Sequence, residues 1–455
     1  MKKPYPNGPR INLFLVIAAK LFPSRFPPVD ILEFGVSIAR KYGDLLYYRF
    51  GPLHVWQISH PDLARQVFVE EPEKYHKPKM VKWGIRPIAR DGLITSDGAL
   101  WKRQRKLMQP AFLHRRLAVY GDSMAALAAA MAESFKDGEV RDIGVEMSKL
   151  TMAIVVKSLF GSDLPCDPDY LGRNMIFLLD ASASRLTSPF RIPSWLPTRR
   201  NRLERRAVAE IDSVLRSLTL AVRASQQERD DLLSVLVAAT DDDSGQGMSD
   251  NQLRDEIMVL FLAGHETTAN ALTWTWYLLA RHPEVEAKLQ EELHRVLAGR
   301  LPAYADLPNL PYTEMIVREA LRLYPPAPGV AREPIEEVAL GGYRVGKGHL
   351  VSINIYALQH DERFFPDPAR FDPERFAHGW EDRTPRHAYL PFGAGPRVCI
   401  GNGFAMMEAR LVLATLAQRC RLTLESPDEI KPVQLVALRP ATPVRMRIEK
   451  RGTRV

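Results

Sequence analysis

The chain has 455 residues, of which 46% are hydrophobic and 25% charged, a globular composition that excludes a disordered chain. Its 62 Lys and Arg outnumber 54 Asp and Glu, giving a net charge of +8, yet the basic residues are scattered without an aromatic-basic repeat, so nucleic acid is not an expected partner. The three cysteines, Cys166, Cys399 and Cys420, form no short-spaced pair, which argues against a disulfide framework or a zinc cage and fits a reducing cytoplasm.

In chain order, residues 1–30 read as a proline-rich irregular leader. Within it Ile11 to Ala19 is apolar but too short to cross a bilayer, so packing against the body is expected and stable membrane insertion is not. Ile31 to Tyr42 has helical spacing and is stopped by Gly43. Asp44 to Ser59 has the content of two strands joined at Gly51-Pro52. Pro61 to Val69 reads as a short helix with proline at its start. Glu71 to Thr95 reads as a long mixed loop whose apolar residues Met80, Trp83, Ile85 and Ile88 suit a wall around a ligand. Trp101 to Met108 begins a basic helix, with Trp101 and Arg105 four apart on one face and able to converge on a carboxylate. Residues 120–240 are mostly helical in pattern, broken at Gly161–Pro168 and Ser188–Pro197, and Thr240 to Gly247 reads as a surface loop.

The next helix is the most informative. Ser249 with Gln252 makes a capping box and His282-Pro283 ends the element. The ~32 residues between them would extend roughly 48 Å, enough to cross a domain. Ile257 to Ala263 is apolar on every side, but Gly264, His265, Glu266, Thr267 and Thr268 follow directly. Gly and Thr are poor helix formers and a buried carboxylate is costly. Either a neighbour satisfies Glu266, or the helix opens locally and its side chains face a ligand and move protons. Further helices are expected from Pro283 to near Gly299 and from Tyr312 to Leu323, the latter placing Glu319 and Arg322 on one face. Hairpin strands are expected around Gly341-Gly342 and Lys347-Gly348, and a turn at Leu438-Arg439-Pro440. With no repeat or linker dividing it, residues 31–455 read as a single, mainly α domain with a small β portion.

Near the end, Pro391 to Arg419 places Cys399 in a glycine-rich loop just ahead of an apolar helix. Gly393, Gly395, Gly401 and Gly403 let something large and flat approach the backbone, and Arg397 holds a cation beside it. The unpaired amides at a helix start favour thiolate. Without a second thiol or histidine nearby, a single axial bond to haem iron is a better fit than a zinc site.

Several stretches then agree in type and order with one family. FGAGPRVCIG (392–401) resembles the haem-binding loop of the cytochromes P450, and AGHETT (263–268) their oxygen-activating segment. EALR (319–322), PERF (373–376) and WKRQR (101–105) are similar to three further motifs of that family, and the resemblance runs from about residue 30 to 445. It implies the P450 fold, with a long central helix over haem b and Cys399 as the proximal thiolate ligand. Arg397, Trp101, Arg105 and Arg332 would serve the haem propionates, Phe392 would pack near the sulfur, and Gly401 would belong to the haem loop. Thr267 and Glu266 would hold and deliver protons, while Ala263 and Gly264 would leave room for dioxygen. Glu319, Arg322 and Arg375 would form a buried structural network.

The reaction implied is monooxygenation of a hydrophobic molecule such as a fatty acid, terpenoid or steroid, using O2. The chain carries no flavin or iron–sulfur module, so NAD(P)H would act only through a separate ferredoxin or flavodoxin with its reductase. Lys102, Arg103, Lys106, Arg115 and Arg116 are candidates for steering that partner. The pocket is expected to draw on Met80, Trp83, Ile85, Ile88, Leu260, Phe261, Ala263, Val330, Ala331 and Leu438. AGHETT is similar to the string in fatty-acid hydroxylases, making a long-chain fatty acid the leading expectation, although Gly51-Pro52-Leu53-His54 lacks a basic residue to grip a carboxylate. Alternatives are a peroxide-driven peroxygenase, a haem-thiolate isomerase, or a haem-binding sensor without turnover. The family resemblance implies a bacterial-type, monomeric cytoplasmic protein.

Overall fold

The computed structural model describes residues 5–11, 30–161, 168–187, 193–224, 231–241, 245–434 and 436–452. The apolar stretch expected to pack at Ile11–Ala19 lies almost wholly outside them, as do most of the predicted break at Gly161–Pro168 and the first part of that at Ser188–Pro197. Ahead of the first helix, Tyr5 stacks on Tyr47 with ring centroids 4.2 Å apart.

The central helix spans Asp250–Arg281, 32 residues, and starts where Ser249 Oγ accepts the Gln252 amide. It packs against Ile143–Phe160, Pro311–Leu323 and Asn402–Arg419, and the last of these packs on His114–Ser134. These helices share one apolar core, with Ile257, Phe261, Leu272 and Trp274 of the central helix fully buried. Gly264 is one reason the central contact is close, because a Cβ there would lie 3.2 Å from Val155 Cγ2. His265 ties the same two helices together: its Nε2 lies 2.8 Å from Ser148 Oγ, and the Thr151 hydroxyl donates to its carbonyl. Burial pushes the His265 imidazole down to about 4, so it is neutral at physiological pH.

The β portion is mainly one five-stranded sheet. Leu45–Phe50 pairs antiparallel with Leu53–Ile58, which pairs parallel with Leu350–Ile353; then come Val330–Pro334 and Tyr75–His76. A smaller sheet joins Val140–Asp142, Arg445–Lys450 and Cys420–Leu424. At Gly341-Gly342 both residues have positive φ, 56° and 80°, as a two-residue hairpin between Val338–Leu340 and Tyr343–Val345 requires.

Three local expectations are corrected. The long loop expected at 71–95 instead holds a short 3-10 turn, the strand Tyr75–His76 and the helix Lys79–Ala89; Gly84 and Pro87 disguised its helical apolar stripe. Lys347-Gly348 is not a hairpin turn, since the strand after it inserts between Leu53–Ile58 and Val330–Pro334. Leu438–Pro440 is a strand paired with Pro432–Gln434, not a turn.

The Glu319 network is assembled as an interior clamp. Glu319 and Arg322 are fully buried and joined by two hydrogen bonds of 2.6 and 2.8 Å. Arg375 Nε stands 3.3 Å from Glu319 Oε1, and the Asp372 amide donates to the same oxygen. Arg322 also donates to the carbonyls of Gln359, Pro368 and Arg370, pinning the 359–376 segment beneath the helix. Arg322→Leu removes the bidentate partner of a buried carboxylate, leaving it only Arg375 and the Asp372 amide, and should cost about 3 kcal/mol. Arg344→Ala at the exposed Arg344–Glu337 pair should cost under about 1 kcal/mol. Denaturant melts of the two variants read the difference, and equal losses would contradict the clamp.

Candidate active site

Between the central helix and the Cys399 loop lies a cavity of about 420 Å3. Gly395 lets that loop close. It has a φ of 69°, and a Cβ there would fall 1.8 Å from the Phe68 carbonyl oxygen, so no other residue fits without moving the chain. The Cys399 amide donates to the Phe392 carbonyl at 3.0 Å, and the Val398 amide to Gly395. Arg105 Nη1 donates to the Val398 carbonyl at 2.6 Å, anchoring the loop from the basic helix.

The accessible surface of Cys399 faces this cavity while protein surrounds the residue. Burial pushes the thiol up; the Gly401 amide, donating to the sulfur, and the Arg105 charge pull it down without overcoming burial. The expected helix-start preference for thiolate is therefore outweighed here. A bound metal cation would reverse the balance.

Positive charge collects around Asp97. Arg397 donates to Asp97 Oδ1 at 2.5 Å and to the Ser96 carbonyl, and lies 4.2 Å from the centroid of the Trp101 ring. Arg332 is buried with its guanidinium over Phe68, and burial plus the Arg397 charge push it down to about 10. Lys77 is pushed down to about 7 by burial and by Arg332 and Arg397. All three line the cavity. Arg397 and Lys82, the latter 2.6 Å from Asp97 Oδ2, pair with that carboxylate directly, while Lys77 and Arg332 lie in its field. The basic groups lining the cavity form a cradle for an anionic group, and the two carboxylates of haem fit both that charge and the sulfur opposite.

The sequence-predicted residues divide sharply. Trp101, Arg105, Arg332, Phe392, Arg397, Cys399 and Gly401 line the cavity, as do Leu260, Ala263, Gly264, Thr267 and Val330. Met80, Trp83, Ile85 and Ile88 do not, because their segment is a helix packed on Pro168–Thr187 and the central helix, with Ile88 fully buried. Phe261 points away to pack on Phe160, 5.4 Å between centroids. Ala331 faces the opposite side of its strand from Val330 and Arg332. Leu438 is fully buried in its hairpin strand. Glu266 is also off the cavity wall: it lies in the field of Arg439 and Asp180, and burial raises its carboxyl.

The central helix is not opened at Gly264–Thr268 but continuous, with the Thr267 hydroxyl donating to the Ala263 carbonyl at 2.6 Å. Sequence reasoning missed Lys77, and missed Leu93 and Ile94 as wall residues. A lysine between His76 and Pro78 carries no motif that would single it out.

Comparison with known proteins agrees with this geometry. The family model "Cytochrome P450" matches residues 6–446. Cyclooctatin synthase of Streptomyces melanosporofaciens is 39% identical over 92% of this chain and 91% of its own. Pentalenene oxygenase of Streptomyces avermitilis is 34% identical over 91% and 92%. The crystal structure of the cytochrome P450DA heme domain superposes with a TM-score of 0.88 at 24% identity, covering 99% of this chain and 98% of that one, a likeness of fold. With a cysteine facing a cation-rimmed cavity and a family model spanning nearly its whole length, this chain belongs to the cytochrome P450 family of haem-thiolate monooxygenases.

Proposed function

We propose that the protein hydroxylates or epoxidises a neutral cyclic terpenoid, held in the cavity above Cys399, with electrons from a separate ferredoxin or flavodoxin. As a cytochrome P450 it uses haem b and O2. When bound, haem supplies oxygen activation: one atom of O2 enters the substrate, and the other leaves as water after two electrons and two protons arrive.

The observation that carries the substrate class is the charge distribution of the wall. Every charged lining residue, Lys77, Arg105, Arg332 and Arg397, belongs to the Cys399 loop, its anchor or the Asp97 cluster. Elsewhere the lining is apolar apart from Ser158, Thr267 and Thr268. Once the cluster holds the haem carboxylates, no lining cation is left to grip a fatty-acid carboxylate. His54 offers none either, because it is held by the Tyr47 hydroxyl at 2.7 Å and stacks on His349. The relatives' names, cyclooctatin synthase, cyclooctat-9-en-7-ol 5-monooxygenase and pentalenene oxygenase, point to cyclic alkenes and alkenols. Both lines favour a neutral cyclic terpenoid over a long-chain fatty acid.

The residue roles follow from position. Cys399 provides the sulfur ligand, with the Gly401 amide and Arg105 stabilising its negative charge. The Thr267 hydroxyl, one turn from Ala263, can hold a water in the cavity and pass its proton. Glu266, its carboxyl raised by burial, holds its proton to higher pH than an exposed glutamate but lies off the cavity wall, so Thr267 is the hydroxyl placed for proton transfer. For the redox partner, Arg103 is committed to Gln252 and the carbonyls of Gln246 and Gly247, and Lys106 lies 4.0 Å from Asp241. Exposed Lys102 is left as the more available steering charge on that helix; the Arg115 side chain lies outside the described residues.

Turnover with a generic ferredoxin pair should convert a cyclic terpene or terpene alcohol to a product heavier by one oxygen, and leave long-chain fatty acids unchanged; the opposite preference would overturn the substrate class. Thr267→Ala should lower product formed per NADPH consumed about tenfold, with the difference appearing as hydrogen peroxide. Arg332→Leu should speed haem transfer to apomyoglobin about tenfold or more, and an unchanged transfer rate would remove Arg332 from the cradle.

A further inference from the structure

We propose that Glu256 is a positioning residue for the substrate: from inside the central helix it holds the backbone of Leu93 and so sets where the Leu93–Ile94 wall stands in the cavity. This rests on the cavity being the substrate site. Glu256 is fully buried, and its Oε2 accepts the Leu93 amide at 2.9 Å, while Oε1 has no partner among the described residues. The neighbouring cation does not serve it: Arg254 uses Nε and Nη1 on Asp212, the Ile88 carbonyl and Asp255, and its Nη2 makes no hydrogen bond to Glu256. An ionisable group is costly in such a place, and the contact it makes is to the cavity wall. Leu93 and Ile94 line the cavity, and so do Val259 and Leu260, one turn further along the helix that carries Glu256.

The segment is pressed onto the helix by a second, independent constraint. A Cβ on Gly92 would lie 2.6 Å from Val259 Cγ2 and 2.8 Å from the Asp255 carbonyl oxygen, so the backbone passes the helix with no room for a side chain. Around it, Asp255 Oδ2 accepts the Asp91 amide, Gln104 donates to the Asp91 carbonyl, and the Thr95 hydroxyl donates to the Arg90 carbonyl. Gly92 sets the distance of the wall and Glu256 its register. Loss of either displaces Leu93 and Ile94, which changes the room for a bulky occupant and leaves a small one unaffected.

The haem-loaded enzyme can be titrated optically with imidazole and with 4-phenylimidazole. Glu256→Leu, close in size but without an acceptor, should weaken 4-phenylimidazole about tenfold and change imidazole by less than about twofold. Glu256→Gln should retain both affinities, because its amide oxygen accepts the same N–H. Unchanged 4-phenylimidazole binding in the leucine variant, equal weakening of both azoles, or failure of the glutamine to restore affinity would each overturn the proposal. If the leucine variant does not fold, Gly92→Ala must show the same split between the two azoles, and its absence overturns the proposal equally. Failure of either azole to shift the wild-type spectrum would instead overturn the reading of the cavity itself.

Discussion

Around Cys399 the protein assembles more positive charge than it neutralises. Arg397 pairs with Asp97, Lys77 and Arg332 lie in its field, and Arg105 braces the loop that carries the sulfur. Burial first, and the neighbouring like charges after it, hold Lys77 and Arg332 below their ordinary ranges. Such an arrangement stores unfavourable energy until anions enter, and haem brings two carboxylates. The same occupant would bring the iron that favours the thiolate form of Cys399. Cofactor binding in this arrangement would relieve two electrostatic costs at once, and Gly393 and Gly395, both at positive φ, let the loop take the shape that places the sulfur there.

The remaining architecture keeps this site in register. The central helix reaches the cavity from Val259 to Ala271, and its approach to Ile143–Phe160 is fixed by Gly264 and His265. The Glu319–Arg322–Arg375 clamp secures the segment that runs up to the cysteine loop. On the opposite side, Glu256 and Gly92 fix the wall. Buried polar groups are expensive, and His265, Glu319, Arg322 and Glu256 each join two chain segments that apolar packing alone would leave free to slide.

What the sequence made legible was what local chemistry dictates. Ser249 and His282-Pro283 mark the two ends of the central helix because caps and prolines act within a few residues. Gly51-Pro52 likewise lies between the first two strands, and the spacing of the cysteine loop leaves few alternatives. Long-range placement was less readable. Met80, Trp83, Ile85 and Ile88 were apolar enough for a pocket wall, but they lie on a helix with an internal proline that buries Ile88 in the core, packs half-buried Ile85 against it and leaves Met80 and Trp83 off the cavity. Phe261 and Ala331 lie beside true lining residues and face elsewhere because helix and strand periodicity rotate them away. Glu266 sits next to Thr267 in sequence but on another face, so adjacency in the motif did not mean a shared surface. Lys77 joins the cradle only through folding, since nothing in its neighbours announces an anion site.

The most direct measurement is the absorption spectrum of the reduced, CO-bound protein, taken for the wild type and for Cys399→His. Ligation by Cys399 predicts a long-wavelength Soret band in the wild type and its loss in the variant, with the band moving to the shorter wavelength of a histidine-ligated haem. Survival of the long-wavelength band in Cys399→His would contradict the account at its centre.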